Sequence, residues 1–128
     1  RDFRLGVFSD FEFWNPKKIK WDDIAVPDRP MVVVKQPPFS RDQWTHVVFT
    51  FDNVNATTDK ASTAILYVNG KQHGTVKRPM RFTWTKSTDG TSEAMIMLGI
   101  NYVGDMDELK IYKRALTADE VLQLFQNP

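Results

Sequence analysis

The sequence contains no cysteine. It therefore has no disulfide framework, no thiolate nucleophile and no cysteine-ligated zinc or iron–sulfur centre. Long apolar runs are absent as well. Runs such as residues 31–34 and 95–98 fall far short of the roughly 20 residues that a membrane-spanning helix needs. We therefore expect no membrane insertion.

Neither sign of charge is in excess. Seventeen basic and sixteen acidic residues give a net charge of +1, and no basic stripe alternates with aromatics as nucleic-acid binding requires. Nucleic acid is therefore excluded as an expected partner. The length of 128 residues suits one domain. Because the chain begins at Arg1, without an initiator Met or a signal peptide, we expect residues 1–128 to be a single domain from a larger polypeptide.

Short runs of β-branched and aromatic residues, separated by clusters of Asp, Asn, Gly, Pro and Ser, predict an all-β sandwich. The predicted strands are residues 3–9, 31–36, 44–52, 63–69, 71–77, 81–85, 95–99 and 106–113. Asn69-Gly70 predicts a two-residue type I′ hairpin turn that places Leu66 opposite His73. Both faces of this hairpin carry apolar residues, with Val76 on the face of Ile65 and Tyr67. We therefore predict that other parts of the protein cover this sheet at least partly on both sides.

The C-terminus alone has a helical pattern. Thr117 and Glu120 have the spacing of a capping box, and Leu116 and Val121 that of a hydrophobic staple. Helical spacing also places Val121, Leu124 and Phe125 on one face. We therefore predict one short helix that docks on the sandwich.

Four stretches, in this order and spacing, resemble the laminin-G-like family of the concanavalin A-like lectin and glucanase superfamily. They are residues 43–52 (QWTHVVFTFD), 65–71 (ILYVNGK), 97–99 (MLG), and 104–112 (GDMDELKIY) followed by 114–117 (RALT). The resemblance covers roughly residues 40–126 and leaves the N-terminal strands shortened or missing. It implies an antiparallel jelly-roll of two sheets in an extracellular, cell-surface or periplasmic protein, often with glycan, protein or calcium ligands.

Asp107 is the carboxylate that bears most on a metal site. Leu109 and Ile111 alternate with it in the predicted strand, so it is expected to face inward. A buried carboxylate needs hydrogen-bond donors or a cation beside it. One interpretation is a calcium site, because the loop after Phe51 supplies the oxygen ligands Asp52 and Asn53. The other is that backbone or side-chain donors hydrogen-bond to Asp107.

Catalysis is not expected. The glucanases of this superfamily carry paired acids on one strand, whereas the leading position here is Gly104, and Glu108 points to the face opposite Asp107. No Ser or Cys is arranged as a triad with His46 or His73. His46 is instead expected to pack or to form a cross-strand hydrogen bond.

Trp14, Trp21 and Trp84 lie in or beside loops, where an exposed indole stacks well on a sugar ring. Trp44 begins a predicted strand and is expected to be buried. The sequence thus predicts a non-catalytic module that binds a glycan through its rim loops. The alternative is a structural domain that docks on a surface protein.

Overall fold

We describe the protein from a computed structural model, for residues 2–7, 14–56, 60–81, 85–86, 92–93 and 102–127. It is mostly β, with antiparallel strand pairs and a short C-terminal helix, Ala118–Gln126. The strands are β1 (Phe3–Gly6), β2 (Met31–Val34), β3 (Val47–Asp52), β4 (Ser62–Val68), β5 (Lys71–Arg78), β6 (Thr85–Lys86) and β7 (Ser92–Glu93). No helix in these residues is long and apolar enough to cross a membrane.

Two antiparallel sheets pack face to face. One pairs β1 with β2, and the other has the order β3-β4-β5. They approach closely at Gly74, where a Cβ atom would lie 2.7 Å from Cγ1 of Val32. Only a residue without a side chain fits such a distance, so Gly74 sets the spacing of the sheets at this point.

Strand β4 is covered on both faces, as predicted. Towards β1 and β2 it contributes Ala64, Leu66 and Val68 to the larger core. On its other face, Tyr67 packs with Leu116 and Val121 under the C-terminal helix. The two buried clusters explain why this strand has no polar face.

The hairpin turn is confirmed, and its register is confirmed in part. Asn69 and Gly70 have φ values of 49° and 74°, as a type I′ turn requires. The pairs next to the turn also match, but a bulge then places Leu66 opposite Gly74 rather than His73. This extra residue brings Val76 opposite Ala64, where it packs in the larger core. The prediction that Val76 shares the face of Tyr67 is therefore wrong.

The helix begins as predicted. The Thr117 hydroxyl accepts from the Glu120 backbone N–H (3.2 Å), and the Glu120 carboxylate accepts from the Thr117 N–H (2.9 Å). Leu116 and Val121 lie together in the smaller core, as a staple requires. Phe125 continues the same face towards the hairpin turn and the His46 ring, whose centroid lies 6.0 Å away.

Three further predictions differ from the structure. Residues 106–113 form no strand, because Glu108 has a φ of 52° and interrupts the extended backbone. Asp107 is consequently exposed, not inward-facing. Trp44 is 71% exposed rather than buried, because β3 begins three residues later, at Val47. The predicted strand at 95–99 lies outside the described residues, so the jelly-roll order stays a prediction.

Candidate functional site: an aromatic loop beside a basic cavity

Residues 14–30, called here the tryptophan loop, begin with a turn organised by Asn15. This side chain is 5% exposed. Its Oδ1 accepts from the Ile19 N–H (3.0 Å), and its Nδ2 donates to the Ile19 carbonyl (2.9 Å). The Asn15 carbonyl also accepts from the Lys18 N–H at 2.9 Å. One buried amide therefore replaces the hydrogen bonds that a regular element would supply.

The loop continues through two single-turn 3-10 helices, Trp21–Asp23 and Val26–Asp28. Arg29 then folds back over the first of them. Its Nε donates to the Ile24 carbonyl (3.1 Å) and its Nη2 to the Trp21 carbonyl (3.3 Å). The guanidinium carbon lies 4.8 Å from the centre of the Trp21 ring. Arg29 thus fixes both the backbone and the indole of Trp21.

Trp14 and Trp21, two of the predicted ligand-binding residues, lie together in this loop. Their ring centroids are 6.5 Å apart and the planes meet at 77°, an edge-to-face arrangement. Trp21 is 37% exposed, and Trp14 is half-buried. Trp84, the third predicted residue, lies outside the described residues. The loop therefore presents an aromatic surface that is ordered before any ligand arrives.

A polar cavity of about 290 Å³ lies beside the loop. The described residues lining it include three cations, Arg29, Lys77 and Arg78, and no carboxylate. Arg78, at the end of β5, donates to the Asp28 carbonyl at 3.1 Å and so ties the strand to the loop. No local pattern in the sequence indicates this cavity, because Asp28 and Arg78 are 50 residues apart. Only the register of β5 brings the two together.

A second, more open cavity of about 650 Å³ borders the C-terminal helix. Its carboxylate, Glu120, forms a two-pronged ion pair with Arg114, with N···O distances of 2.6 and 2.7 Å. The Arg114 side chain, and then the Thr117 backbone N–H, lower the pKa of Glu120 to about 2. Glu120 is therefore ionised at neutral pH and unsuited to donate a proton.

The predicted calcium ligands are held by local bonds. One oxygen of Asp52 accepts from the Asn53 N–H (3.0 Å), and one oxygen of Asp107 accepts from the Glu108 N–H (2.7 Å). Within the described part of the chain, no three His, Cys, Asp or Glu side chains converge as a metal site would require. These residues do not by themselves fit a calcium ion, and calcium binding stays a prediction from the sequence.

His46 packs as predicted, on the outer side of the sheet. Its backbone N–H donates to Asn69 Oδ1 (3.0 Å), and its carbonyl accepts from the Asn69 N–H (2.8 Å). Burial, and then the charge of Lys110, lower the pKa of His46 below its usual 6.5. Lys110 belongs to residues 102–113, called here the exposed segment, where Val103, Leu109 and Ile111 are open to solvent.

Comparison with known proteins places these features in a family. A family model described as the concanavalin A-like lectin/glucanases superfamily matches residues 4–122. No curated protein matches the chain at a significant level. The crystal structure of an S-layer domain-containing protein from Clostridium thermocellum is similar, with 20% sequence identity and a TM-score of 0.40. That similarity covers 76% of this chain and 45% of the S-layer protein chain, so this chain spans less than half the length of that protein.

Proposed function

The chain belongs to the concanavalin A-like lectin/glucanases superfamily, and from that premise we propose that it is a non-catalytic carbohydrate-recognition module. The observation that carries the proposal is the exposed Trp21 ring, held by Trp14 at its side and by Arg29 over its plane. A fixed indole stacks on a sugar without a large loss of conformational entropy. We further propose that the module is one domain of a larger extracellular or surface polypeptide.

The absence of catalysis is part of the proposal. Asp107 and Glu108 are exposed, and Glu108 lies 3.5 Å from the Lys110 ammonium. Hydrolysis with retention needs two carboxyls about 5 to 5.5 Å apart across a bound sugar, one of them protonated. Glu120, the carboxylate of the larger cavity, is ionised and paired with Arg114. Release of reducing sugar from a polysaccharide by the purified chain would refute this part of the proposal.

A glycan array followed by titration of the best ligand tests the recognition site. We expect Trp21→Ala to raise the Kd roughly tenfold or more, since loss of an aromatic contact of about 1.4 kcal/mol corresponds to that factor. Trp44→Ala is the matched control, because Trp44 is exposed and lies outside the tryptophan loop. If Trp44→Ala loses binding and Trp21→Ala does not, the binding site lies outside the tryptophan loop.

The exposed segment supports a second candidate, a structural domain that docks on another protein. Leu109 is 71% exposed and Ile111 75%, and Val103 lies open on the same segment. Exposed apolar side chains grouped in this way mark contact surfaces. The docking candidate predicts concentration-dependent association that Leu109→Ser/Ile111→Ser abolishes, together with a glycan array that shows no ligand.

A further inference from the structure

The cavity beside the tryptophan loop indicates which class of glycan would bind. We infer that the ligand is an acidic polysaccharide, and that its carboxylate or sulfate group binds between Arg29, Lys77 and Arg78. This inference rests on the proposed function and adds to it the charge of the ligand. It follows from the hydrogen-bonding capacity, the charge and the position of these three side chains.

The two arginines retain unused donors. Of the five guanidinium N–H groups that each carries, Arg29 uses one on Ile24 and one on Trp21, and Arg78 uses one on Asp28. All three acceptors are backbone carbonyls. In the described part of the chain, neither arginine pairs with a carboxylate. Each guanidinium group is thus held in place by the protein and still has N–H donors for a planar or tetrahedral anion.

The concentration of charge is local. The whole chain has a net charge of only +1, yet three cations line this small cavity, and its described lining contains no acid. Arg29 and Arg78 are half-buried, so their attraction for an anion in the cavity would be screened less than at an open surface. A neutral sugar would gain nothing from these charges.

Arg29 joins the two parts of the proposed site. Its guanidinium lies over the Trp21 ring and also lines the cavity. A sugar in contact with the exposed part of the Trp21 ring would therefore lie close to the side of the cavity that Arg29 lines. Aromatic stacking would bind the ring of the sugar, and the cavity would select its charged substituent.

Titrations with three polymers separate charge from sugar recognition. Dextran and dextran sulfate share one neutral backbone and differ in sulfate, and polygalacturonate supplies carboxylate. We expect both acidic polymers to bind, and dextran to bind at least about tenfold more weakly, because dextran cannot form the charged hydrogen bonds to the arginines. The ratio of the Kd values for polygalacturonate and dextran sulfate tells whether the site prefers carboxylate or sulfate.

Variants of β5 provide the matched test. Lys77→Gln and Lys71→Gln remove the same charge from exposed positions of one strand, and neither side chain has a hydrogen bond or ion pair in the described residues. We expect Lys77→Gln to raise the Kd for acidic polymers about threefold or more, and Lys71→Gln to leave it within about twofold. Arg78→Gln should raise it further, about tenfold. Equal losses in Lys77→Gln and Lys71→Gln would overturn the inference, since they would reveal unspecific attraction.

The failure of this inference can be distinguished from failure of the proposed function. If dextran or another neutral glycan binds as tightly as the acidic polymers, with binding lost in Trp21→Ala but kept in Lys77→Gln, the module recognises neutral sugars and the inference is wrong. If no glycan of either kind binds, the proposed function and the inference fail together.

Discussion

The tryptophan loop and the exposed segment are both irregular stretches of the described chain, and different interactions hold them. In the loop, a buried amide and a half-buried guanidinium bind backbone groups up to eight residues away. In the exposed segment, the side-chain bonds reach no further than three residues, as from the Tyr102 hydroxyl to the Asp105 carbonyl. A few buried polar groups thus organise the tryptophan loop, whereas the apolar side chains of the exposed segment lie open to solvent in the described structure.

The same contrast bears on function. Preorganisation favours binding, because a ligand then need not supply the free energy of ordering the site. The tryptophan loop meets this condition and presents an aromatic ring beside a basic cavity. The exposed segment offers apolar side chains without a comparable frame, which suits docking on a larger surface.

Among changes within the two stretches, the largest effect is expected from Asn15→Leu. The change keeps a side chain of similar size but removes both hydrogen bonds to Ile19, whose backbone groups then lose their partner. We expect a loss of about 1 to 3 kcal/mol in the free energy of unfolding, measured by urea denaturation. The control Asn127→Ala, at the exposed end of the helix, should cost much less. Equal stability of Asn15→Leu and the parent chain would show that Asn15 does not organise the loop.

A smaller effect is expected from Leu109→Ser/Ile111→Ser. Because both side chains are exposed, the free energy of unfolding should stay within about 0.5 kcal/mol of the parent for each change. Leu66→Ala, at a fully buried position, is the contrasting variant and should cost about 2 to 5 kcal/mol. A loss of that size in the double variant would mean that residues 106–113 are packed as a strand, as the sequence predicts.

The smallest effect concerns the contact between the exposed segment and the sheet. Burial and the Lys110 charge hold the pKa of His46 below 6.5. As the pH falls, His46 is therefore protonated in the unfolded chain before it is protonated in the folded protein. The contribution of neutral His46 to stability is present above pH 6.5 and is lost as the pH falls below it. In an NMR titration, Lys110→Gln should move the His46 midpoint upward, and Lys113→Gln should not. An unchanged midpoint in Lys110→Gln would place Lys110 away from His46.

Local signals in the sequence predicted the elements that depend on neighbouring residues. The Asn69-Gly70 turn and the Thr117 capping box both lie where the sequence placed them. Alternation was less reliable. The alternation pattern assumed an extended backbone through Glu108, but this residue has a positive φ. It also assumed an unbroken β5, whereas a bulge moves Val76 to the other face of the sheet.

The candidate site could be predicted only in part. An indole in a loop is visible in the sequence, and so Trp14 and Trp21 could be named. The cavity depends on Arg78 reaching Asp28 across 50 residues, and no local pattern encodes that contact. The sequence also gave no reason to expect Arg29 over the Trp21 ring, since this geometry results from the two turns between them.

The central claim is that a glycan binds at the tryptophan loop, and the indole N–H signals of the four tryptophans test it most directly. Each signal is assigned with a Trp→Phe variant and followed by NMR during titration with polygalacturonate or with the best ligand from the array. The account predicts that the signals of Trp14 and Trp21 shift with one common Kd, together with the Arg29 Nε–H, while the signal of Trp44 stays in place. Shifts confined to Trp44 or to backbone amides of the exposed segment would contradict it.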